Sequence, residues 1–325
     1  MMLYRRLVLF FIGAISALTI LAVGLLVLID PVSLLGSPVI AGFNNQKEKE
    51  GNVLDVVKPY QYIRTKPEEL YIGSSRVYVG LGPVPNDGID AYNMGASSLS
   101  LPDMLEYLKY CCAVHRPEVV YVGLDFMQFG KGNYHRRREG FSDDRLKRLA
   151  KWNNRLSRSL FMIEDSLPFA RIDYLIGCYK ASRAGKEEKP LFYRGCDLKR
   201  GLAEKTNEDA YKYTMESGAK IYERWDYEPK SLLKLQEIVQ FLHEQDVKLY
   251  LFFNPISYDL QCLIKEKGKQ KEFERIKKDV AKIHKVHDFA VPSEITMTRS
   301  NYYDASHYRI DVGKRIKKIM DSGDA

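Results

Sequence analysis

The sequence predicts an α/β protein, a parallel sheet between helices, with one apolar helix at its N-terminus. Short apolar runs alternate with helical patterns along most of the chain, which is typical of a parallel sheet with helices on both faces. Residues 119–124 are apolar enough for a central strand of such a sheet. Several apolar runs end directly before polar residues. Because the carboxyl ends of parallel strands share one edge of the sheet, we expect a functional site at that edge.

The N-terminal segment is long and apolar enough to cross a membrane. Residues 7–29 carry no charged side chain, and Arg5 and Arg6 precede them. A run of about 20 apolar residues spans a bilayer, and arginines beside it tend to remain in the cytoplasm. We therefore expect residues 1–29 to be a single-pass anchor, with a cytoplasmic N-terminus and the rest of the chain outside the cytoplasm. A cleaved signal peptide is the alternative, but the run is too long for a signal core.

The rest of the chain is predicted to be one domain behind a linker. Residues 30–67 form a solvated linker and lead-in, including a polar stretch at 44–51, and residues 68–325 form the domain. From about 129 to 227, basic and aromatic residues replace the regular pattern, which we interpret as a helical insertion over the sheet edge. The basic run at 135–138 is typical of a solvated face, and binding of an acidic glycan or the membrane surface is the alternative.

The spacing of apolar residues and the positions of turn-forming residues predict the strands and helices of the domain. Strands are predicted at 70–72, 89–92, 119–124, 247–253 and 286–289. Helices are predicted at 102–115, where Pro102 suits a first turn, and at 232–245, 265–284 and 310–320.

The net charge indicates a class of partner, and the cysteines bear on metal binding and disulfides. The net charge of +8 and the pI near 9.0 favour an anionic partner, and without a nucleic-acid-binding motif we expect an envelope polyanion and no nucleic acid. The five cysteines lack the paired spacing of a zinc site, so we expect no metal. Outside the cytoplasm one disulfide is permissible, and loop position favours Cys178 with Cys196.

Polar residues follow the predicted strands and converge on one edge of the sheet. Ser75, Gly95, Asp125 and Asn254 each come just after a strand. Each also has a structural interpretation. Ser75 could cap a helix, Gly95 could fill a position of positive φ, and Asn254 could end a strand before Pro255.

A serine, a histidine and an aspartate in these segments are the three parts of a nucleophilic relay. The loop before the last helix contains Asp304 and His307, and it can reach the same edge as Ser75. In such a relay the serine attacks, the histidine takes its proton and the carboxylate orients the imidazole. We predict that these three residues meet in space. In the alternative, Asp304 caps the terminal helix and His307 lies on its surface.

Three motifs resemble the sequence blocks of the SGNH or GDSL hydrolase superfamily. Residues 73–75, Gly-Ser-Ser, are similar to the first block, Gly-Asp-Ser, with Ser74 in place of aspartate. Residues 93–95, Asn-Met-Gly, are similar to the second block, and residues 304–307, Asp-Ala-Ser-His, fit the last, Asp-x-x-His. The resemblance implies a flavodoxin-like three-layer sandwich, no cofactor, Ser75 as nucleophile, and the N–H groups of Ser75 and Gly95 as oxyanion hole. Candidate substrate contacts are Arg76, Asn93, Asp125 and Asn254, although Arg76 could instead form a structural ion pair.

The third block of the superfamily, Gly-x-Asn-Asp, is altered here. Residues 123–126 read Gly-Leu-Asp-Phe, so Asp125 stands where the family has an amide that donates to the oxyanion. An ionised carboxylate cannot donate, and loss of one such donor costs about 100- to 1000-fold in rate. Three explanations are open: Asp125 is protonated, Asn93 or Asn254 substitutes for the missing amide, or the site is weak.

The resemblance is to the membrane-anchored envelope branch of the superfamily, which includes proteins similar to alginate O-acetylation and teichoic-acid D-alanylation proteins. It implies a serine O-acyltransferase or esterase acting on a cell-surface polysaccharide in a bacterial envelope. It also implies a membrane-bound O-acyltransferase as a partner. The alternative is a noncatalytic glycan-binding or assembly protein on the same fold, which Ser74 and Asp125 favour. A third interpretation, a peripheral lipid esterase, depends on the basic aromatic insertion.

Overall fold

The structure is a computed structural model of the chain. Part of the predicted polar stretch, residues 48–51, and part of the predicted basic run, residues 136–138, lie outside the described residues. The described residues are 2–47, 53–135, 141–152, 154–169, 171–184 and 191–323.

The chain divides into two compact units. Residues 1–61 and 154–191 form the first unit, and residues 62–153 and 192–325 form the second. Of the predicted insertion at 129–227, residues 154–191 therefore belong with the N-terminal segment.

The described strands belong to the second unit, and the described helices belong to both units. The strands are β1 (Glu69–Gly73), β2 (Ala91–Asn93), β3 (Val119–Leu124), β4 (Phe192–Tyr193), β5 (Cys196–Asp197), β6 (Lys248–Phe253) and β7 (Val286–Asp288). The helices are α1 (Met2–Ile29), α2 (Leu54–Thr65), α3 (Ser75–Gly80), α4 (Leu101–Val114), α5 (Lys131–Tyr134), α6 (Asp143–Lys151), α7 (Arg155–Ser166), α8 (Ile172–Ala184), α9 (Leu198–Gly201), α10 (Glu208–Glu223), α11 (Lys230–Glu244), α12 (Tyr258–Glu266), α13 (Gln270–Ile283), α14 (Glu294–Met297) and α15 (Ile310–Ser322).

In the first unit, α1 is long and apolar enough to cross a membrane. Its 26-residue segment Tyr4–Ile29 has a mean hydropathy of 2.7, and most of its side chains are exposed. At about 1.5 Å per residue, such a segment exceeds the roughly 30 Å hydrocarbon core of a bilayer.

The chain folds back against the end of α1. Asn44 Nδ2 donates to the carbonyl of Leu28 at 2.8 Å, and Lys47 Nζ donates to that of Ile29 at 2.6 Å. Carbonyls in the last turn of a helix lack an intrahelical partner, so these side chains cap α1. Asn44, Gln46 and Lys47 are buried. The expectation of a solvated linker is therefore wrong for this part of the polar stretch.

The second unit contains a five-stranded parallel sheet in the order β2-β1-β3-β6-β7. The most apolar strand, β3, is central, which confirms the predicted α/β class. Gly73 of β1 pairs with Gly123 of β3, and Leu124 of β3 pairs with Phe253 of β6. The carboxyl ends of these strands are therefore level, and the residues that follow them share one edge.

Helices cover both faces of this sheet. Phe252 of β6 belongs to one apolar cluster with Val312 and Ile316 of α15. Its neighbour Phe253 points to the other face, because successive side chains of a strand alternate, and its ring lies 5.8 Å from that of Phe273 in α13. The arrangement is consistent with a three-layer sandwich.

The predicted helix at 265–284 begins too early. It corresponds to α13, and its first two residues belong to the end of α12, a helix that was not predicted. Gly268, with a φ of +71°, separates the two helices. Glycine adopts this left-handed conformation without steric cost and commonly ends a helix. Its N–H also bonds the carbonyl of Lys265 at 2.9 Å, which closes the last turn of α12. Charged residues continue at helical spacing across Gly268, so the sequence pattern did not indicate that a helix ends there.

The disulfide that the sequence permits between Cys178 and Cys196 is not formed. Each of the five cysteines is a thiol and none takes part in a disulfide. The Cys178 thiol of α8 lies 3.2 Å from the Gln46 carbonyl oxygen, and the Cys196 thiol of β5 lies 3.9 Å from that of Val79. Each thiol is buried against backbone of its own unit.

Candidate active site

The turn from β1 into α3 presents Ser75. Ser74 is the N-cap of α3, and its hydroxyl accepts the N–H of Arg76 at 3.2 Å. Ser75 is the first helical residue, so its hydroxyl is not used as a cap and the capping interpretation of Ser75 is wrong. A Cβ at Gly73 would collide with Val77 and with the carbonyl of Gly123. Glycine there lets α3 approach the sheet closely enough to hold Ser75 at its edge.

The structure brings Ser75, His307 and Asp304 together. His307 Nε2 lies 2.8 Å from Ser75 Oγ, although the two residues are 232 positions apart in the chain. His307 Nδ1 lies 2.7 Å from Asp304 Oδ2 and 2.9 Å from Oδ1. When the imidazole carries its proton on Nδ1, Nε2 is the acceptor that faces the serine hydroxyl.

Asp304 is held by its own loop. Its Oδ1 accepts the backbone N–H groups of Ser306 at 2.8 Å and His307 at 3.0 Å. Burial opposes ionisation of the carboxyl, but these bonds and the His307 ring outweigh it, so the pKa of Asp304 lies below its ordinary value. The N-cap of α15 is Arg309, so the interpretation of Asp304 as a helix cap is wrong.

Asp125 forms an ion pair with Arg76 at the base of the site. Nη1 of Arg76 contacts Oδ1 of Asp125, and both side chains are almost fully buried. Burial lowers the pKa of Arg76, but Asp125 and Tyr222 more than compensate, so the pKa of Arg76 is raised. The positive charge of Arg76 thus offsets the negative charge of the Asp125 carboxylate.

Asn254 forms a hydrogen bond with this ion pair. Its amide nitrogen donates to Leu124 O at 3.2 Å and to Asp125 Oδ1 at 3.3 Å, and its carbonyl accepts the Tyr308 hydroxyl at 3.0 Å. The side chain is 1% exposed. Both amide hydrogens are used, which contradicts a direct substrate contact and a replacement oxyanion donor at Asn254.

The side-chain amide of Asn93 is also occupied by hydrogen bonds within the protein. Its amide nitrogen donates to Val77 O at 2.8 Å and to Leu81 O at 2.6 Å, so the side chain fastens β2 to α3. Because Asn93 is fully buried, the expectation of a substrate contact there is also wrong.

Gly95 is a position of close backbone approach. A Cβ there would lie 2.9 Å from Asn93 Oδ1 and 3.0 Å from the backbone nitrogen of Tyr78. Gly95 is not among the glycines of positive φ, so that interpretation is wrong. Its N–H donates to Asn93 Oδ1 at 2.8 Å, and this bond would have to break before Gly95 could bind an oxyanion.

A cavity of about 450 Å³ opens beside Ser75. Arg76 and Asp125 also line it. Sequence reasoning did not identify a second wall, which is formed by the end of α10 and the residues after it. This wall contains Lys220, Arg224, Trp225 and Asp226.

The charged residues of this wall differ in whether they form ion pairs. Asp226 pairs with Lys131 at 2.6 Å. Among the described residues, Lys220 and Arg224 have no carboxylate within ion-pair distance, and both are exposed. The sequence does contain a signal for these two cations. Lys220 and Arg224 are four residues apart, so they share one face of a helix, and Trp225 follows directly.

No group of three or more histidine, cysteine, aspartate or glutamate side chains is placed to hold a metal ion in the part of the chain that the structure describes. Comparison with protein-family models finds no match, and comparison with curated proteins also finds none.

Proposed function

We propose that this chain is a membrane-anchored, SGNH-like serine enzyme that transfers or hydrolyses acyl esters on an envelope glycan outside the cytoplasm. One observation carries the proposal: the continuous hydrogen-bonded series from Ser75 Oγ through the His307 ring to Asp304. That series has the geometry a hydroxyl needs to act as a nucleophile at neutral pH. The anchor is the apolar part of α1, and Arg5 and Arg6 at the start of this helix favour a cytoplasmic N-terminus.

The proposed reaction has two stages. Ser75 Oγ attacks the acyl carbonyl carbon while His307 Nε2 takes the hydroxyl proton. The tetrahedral intermediate then expels the alcohol, which receives that proton from His307, and the acyl group stays on Ser75. In the second stage His307 deprotonates water or a sugar hydroxyl, which attacks the acyl-serine and releases Ser75.

The developing oxyanion needs donors at the edge of the sheet. Ser75 N–H is suited to this role, because N–H groups in the first turn of a helix lack an intrahelical acceptor. The ion pair between Arg76 and Asp125 supports the proposal in a second way. It removes the net negative charge that a lone Asp125 would place near the oxyanion.

The cavity favours a substrate with a negative charge. Its two carboxylates are each paired, Asp125 with Arg76 and Asp226 with Lys131. Lys220 and Arg224, which also line the cavity, add positive charge without such pairing in the described chain. An acidic polysaccharide would meet these cations while its ester lies at Ser75, and this agrees with the net charge of +8.

A fluorophosphonate probe tests the proposal, because it reacts covalently with an activated serine. Full-length protein in detergent is expected to be labelled, and Ser75→Ala is expected to lose the label. Ser98→Ala is the matched control, since Ser98 lines the same cavity and the variant should keep the label. If the wild-type protein is not labelled, the enzymatic proposal fails and a noncatalytic glycan-binding or assembly protein is favoured.

A membrane-bound O-acyltransferase is the proposed partner, because a transferase outside the cytoplasm needs a supply of acyl groups across the membrane. Purification under mild detergent is expected to recover such a protein. Its repeated absence would favour an esterase that acts alone.

A further inference from the structure

An apolar stripe runs along the exposed side of α7. Leu156, Leu160, Ile163 and Leu167 are 72%, 57%, 53% and 60% exposed. Their spacing of four, three and four residues places them within about 60° of one another around a helix with 3.6 residues per turn. Exposed apolar side chains in such a continuous set mark an interaction surface.

The other side of α7 is occupied. Asp165 accepts the Tyr60 hydroxyl at 2.5 Å. Asp165 is nine residues after Leu156, which places it on the opposite side of the helix at about 100° per residue. The side of α7 that carries Asp165 therefore contacts the rest of the first unit, and the apolar stripe faces away from it.

The following helix, α8, also carries exposed apolar side chains, because Ile172 and Ile176 are 74% and 44% exposed. On another side of α8, Ser182 Oγ accepts the N–H of Gln46 at 3.0 Å, and α8 packs against α1. Lys47, the residue after Gln46, caps α1 through the Ile29 carbonyl. Helix α8 is thus fastened beside the point where the apolar span ends.

We propose that α7 and α8 lie on the outer surface of the bilayer, with Leu156, Leu160, Ile163 and Leu167 among the lipid acyl chains. A helix with one apolar and one polar side binds at the membrane interface in this way. The occupant is a phospholipid bilayer because the stripe belongs to the same compact unit as α1. The inference depends on the membrane-anchor part of the proposed function, and it is independent of the chemistry at Ser75.

Exposed cations on α8 suit the same partner. Lys180 and Arg183 are both exposed near its end. Cations next to an apolar interfacial surface attract anionic headgroups.

Spin labels in lipid nanodiscs test the proposal. A single cysteine replaces Leu160 in full-length protein that also carries Cys112→Ser and Cys262→Ser, and a nitroxide is attached. Collisions with oxygen report acyl chains, and collisions with a water-soluble nickel chelate report water. Leu233→Cys on α11 is the matched control, because Leu233 is 59% exposed and lies in the second unit. Leu18→Cys, at a position 66% exposed on α1, reports the anchor.

We expect the label at position 160 to lose most of its chelate collisions and to gain oxygen collisions relative to position 233, as position 18 does. Equal chelate access at 160 and 233 would overturn the proposal. Shielding of position 160 from both reagents would also overturn it, because a protein surface would then cover the stripe. A label at position 18 that is open to water would instead show that the anchor itself is wrong.

Discussion

Ser74 and Ser75 are adjacent serines with different partners. The hydroxyl of Ser74 accepts the N–H of Arg76 and caps α3, whereas the hydroxyl of Ser75 lies 2.8 Å from His307 Nε2. Because Ser74 supplies the cap, the Ser75 hydroxyl is available to contact His307. At the scale of residues, therefore, the two positions should respond differently to substitution.

Ser74→Ala is expected to destabilise the protein by about 1 kcal/mol, because it removes an N-cap hydrogen bond. Ser74→Asp should retain the stability, since aspartate caps helices as well as serine does. Denaturant unfolding in detergent measures both variants. Equal loss of stability in the two would show that the cap is not what Ser74 contributes.

Asp304→Asn is expected to lower kcat about 10⁴-fold with little change in KM, since an amide favours the wrong tautomer of His307. Hydrolysis of a neutral aryl ester gives both constants. Asp311→Asn on α15 is the control, and it should leave the rate unchanged. A variant Asp304→Asn with a rate within tenfold of the wild type would remove Asp304 from the relay.

At the scale of elements, one ion pair joins α3 to the end of β3. Arg76 and Asp125 are each almost fully buried, and Asn254 extends the contact to the end of β6. The level ends of these parallel strands make the contact geometrically available. The pair therefore connects the helix that carries Ser75 to the centre of the sheet.

Arg76→Met and Asp125→Asn are each expected to destabilise the protein by roughly 3–5 kcal/mol, because each leaves a buried charge without its partner. The double variant should lose less than the sum of the two single variants, since it leaves neither charge. Unfolding free energies of the four proteins form the cycle. Lys131→Met, which breaks the exposed pair with Asp226, is the control and should change stability little. Additive losses at Arg76 and Asp125 would show that the pair is not coupled.

At the scale of the whole molecule, the chain carries a net charge of +8. Two of its exposed cations, Lys220 and Arg224, line the cavity beside Ser75. Attraction between such a surface and a polyanion weakens as salt is added, because ions screen it.

Lys220→Gln with Arg224→Gln, in a Ser75→Ala background, is expected to weaken binding of an acetylated oligogalacturonate roughly threefold to tenfold. Binding of a neutral acetylated xylo-oligosaccharide should not change. Calorimetry at low and high salt measures the affinities. Lys212→Gln, an exposed cation elsewhere on α10, is the matched control. An equal effect on the neutral glycan would mean that these residues contribute contact area and not charge.

Most of the sheet was predictable because each strand is a local apolar run. The run at 119–124 became the central strand β3, and the run at 247–253 became β6 after a one-residue difference. The break at Gly268 was missed because charged residues continue at helical spacing on both sides of it. The burial of Asn44 and Lys47 was missed because polar composition does not reveal that a helix end needs donors.

The sequence by itself determined the apolar N-terminal helix, the parallel sheet and the presence of polar residues just after its strands, because hydrophobic spacing is a local property. Only the tertiary structure decided which of those residues meet. The contact between Ser75 and His307 joins segments 232 residues apart, and the ion pair of Arg76 with Asp125 depends on β1 lying beside β3. Strand order and packing set such contacts, and neither is written in the spacing of a single segment.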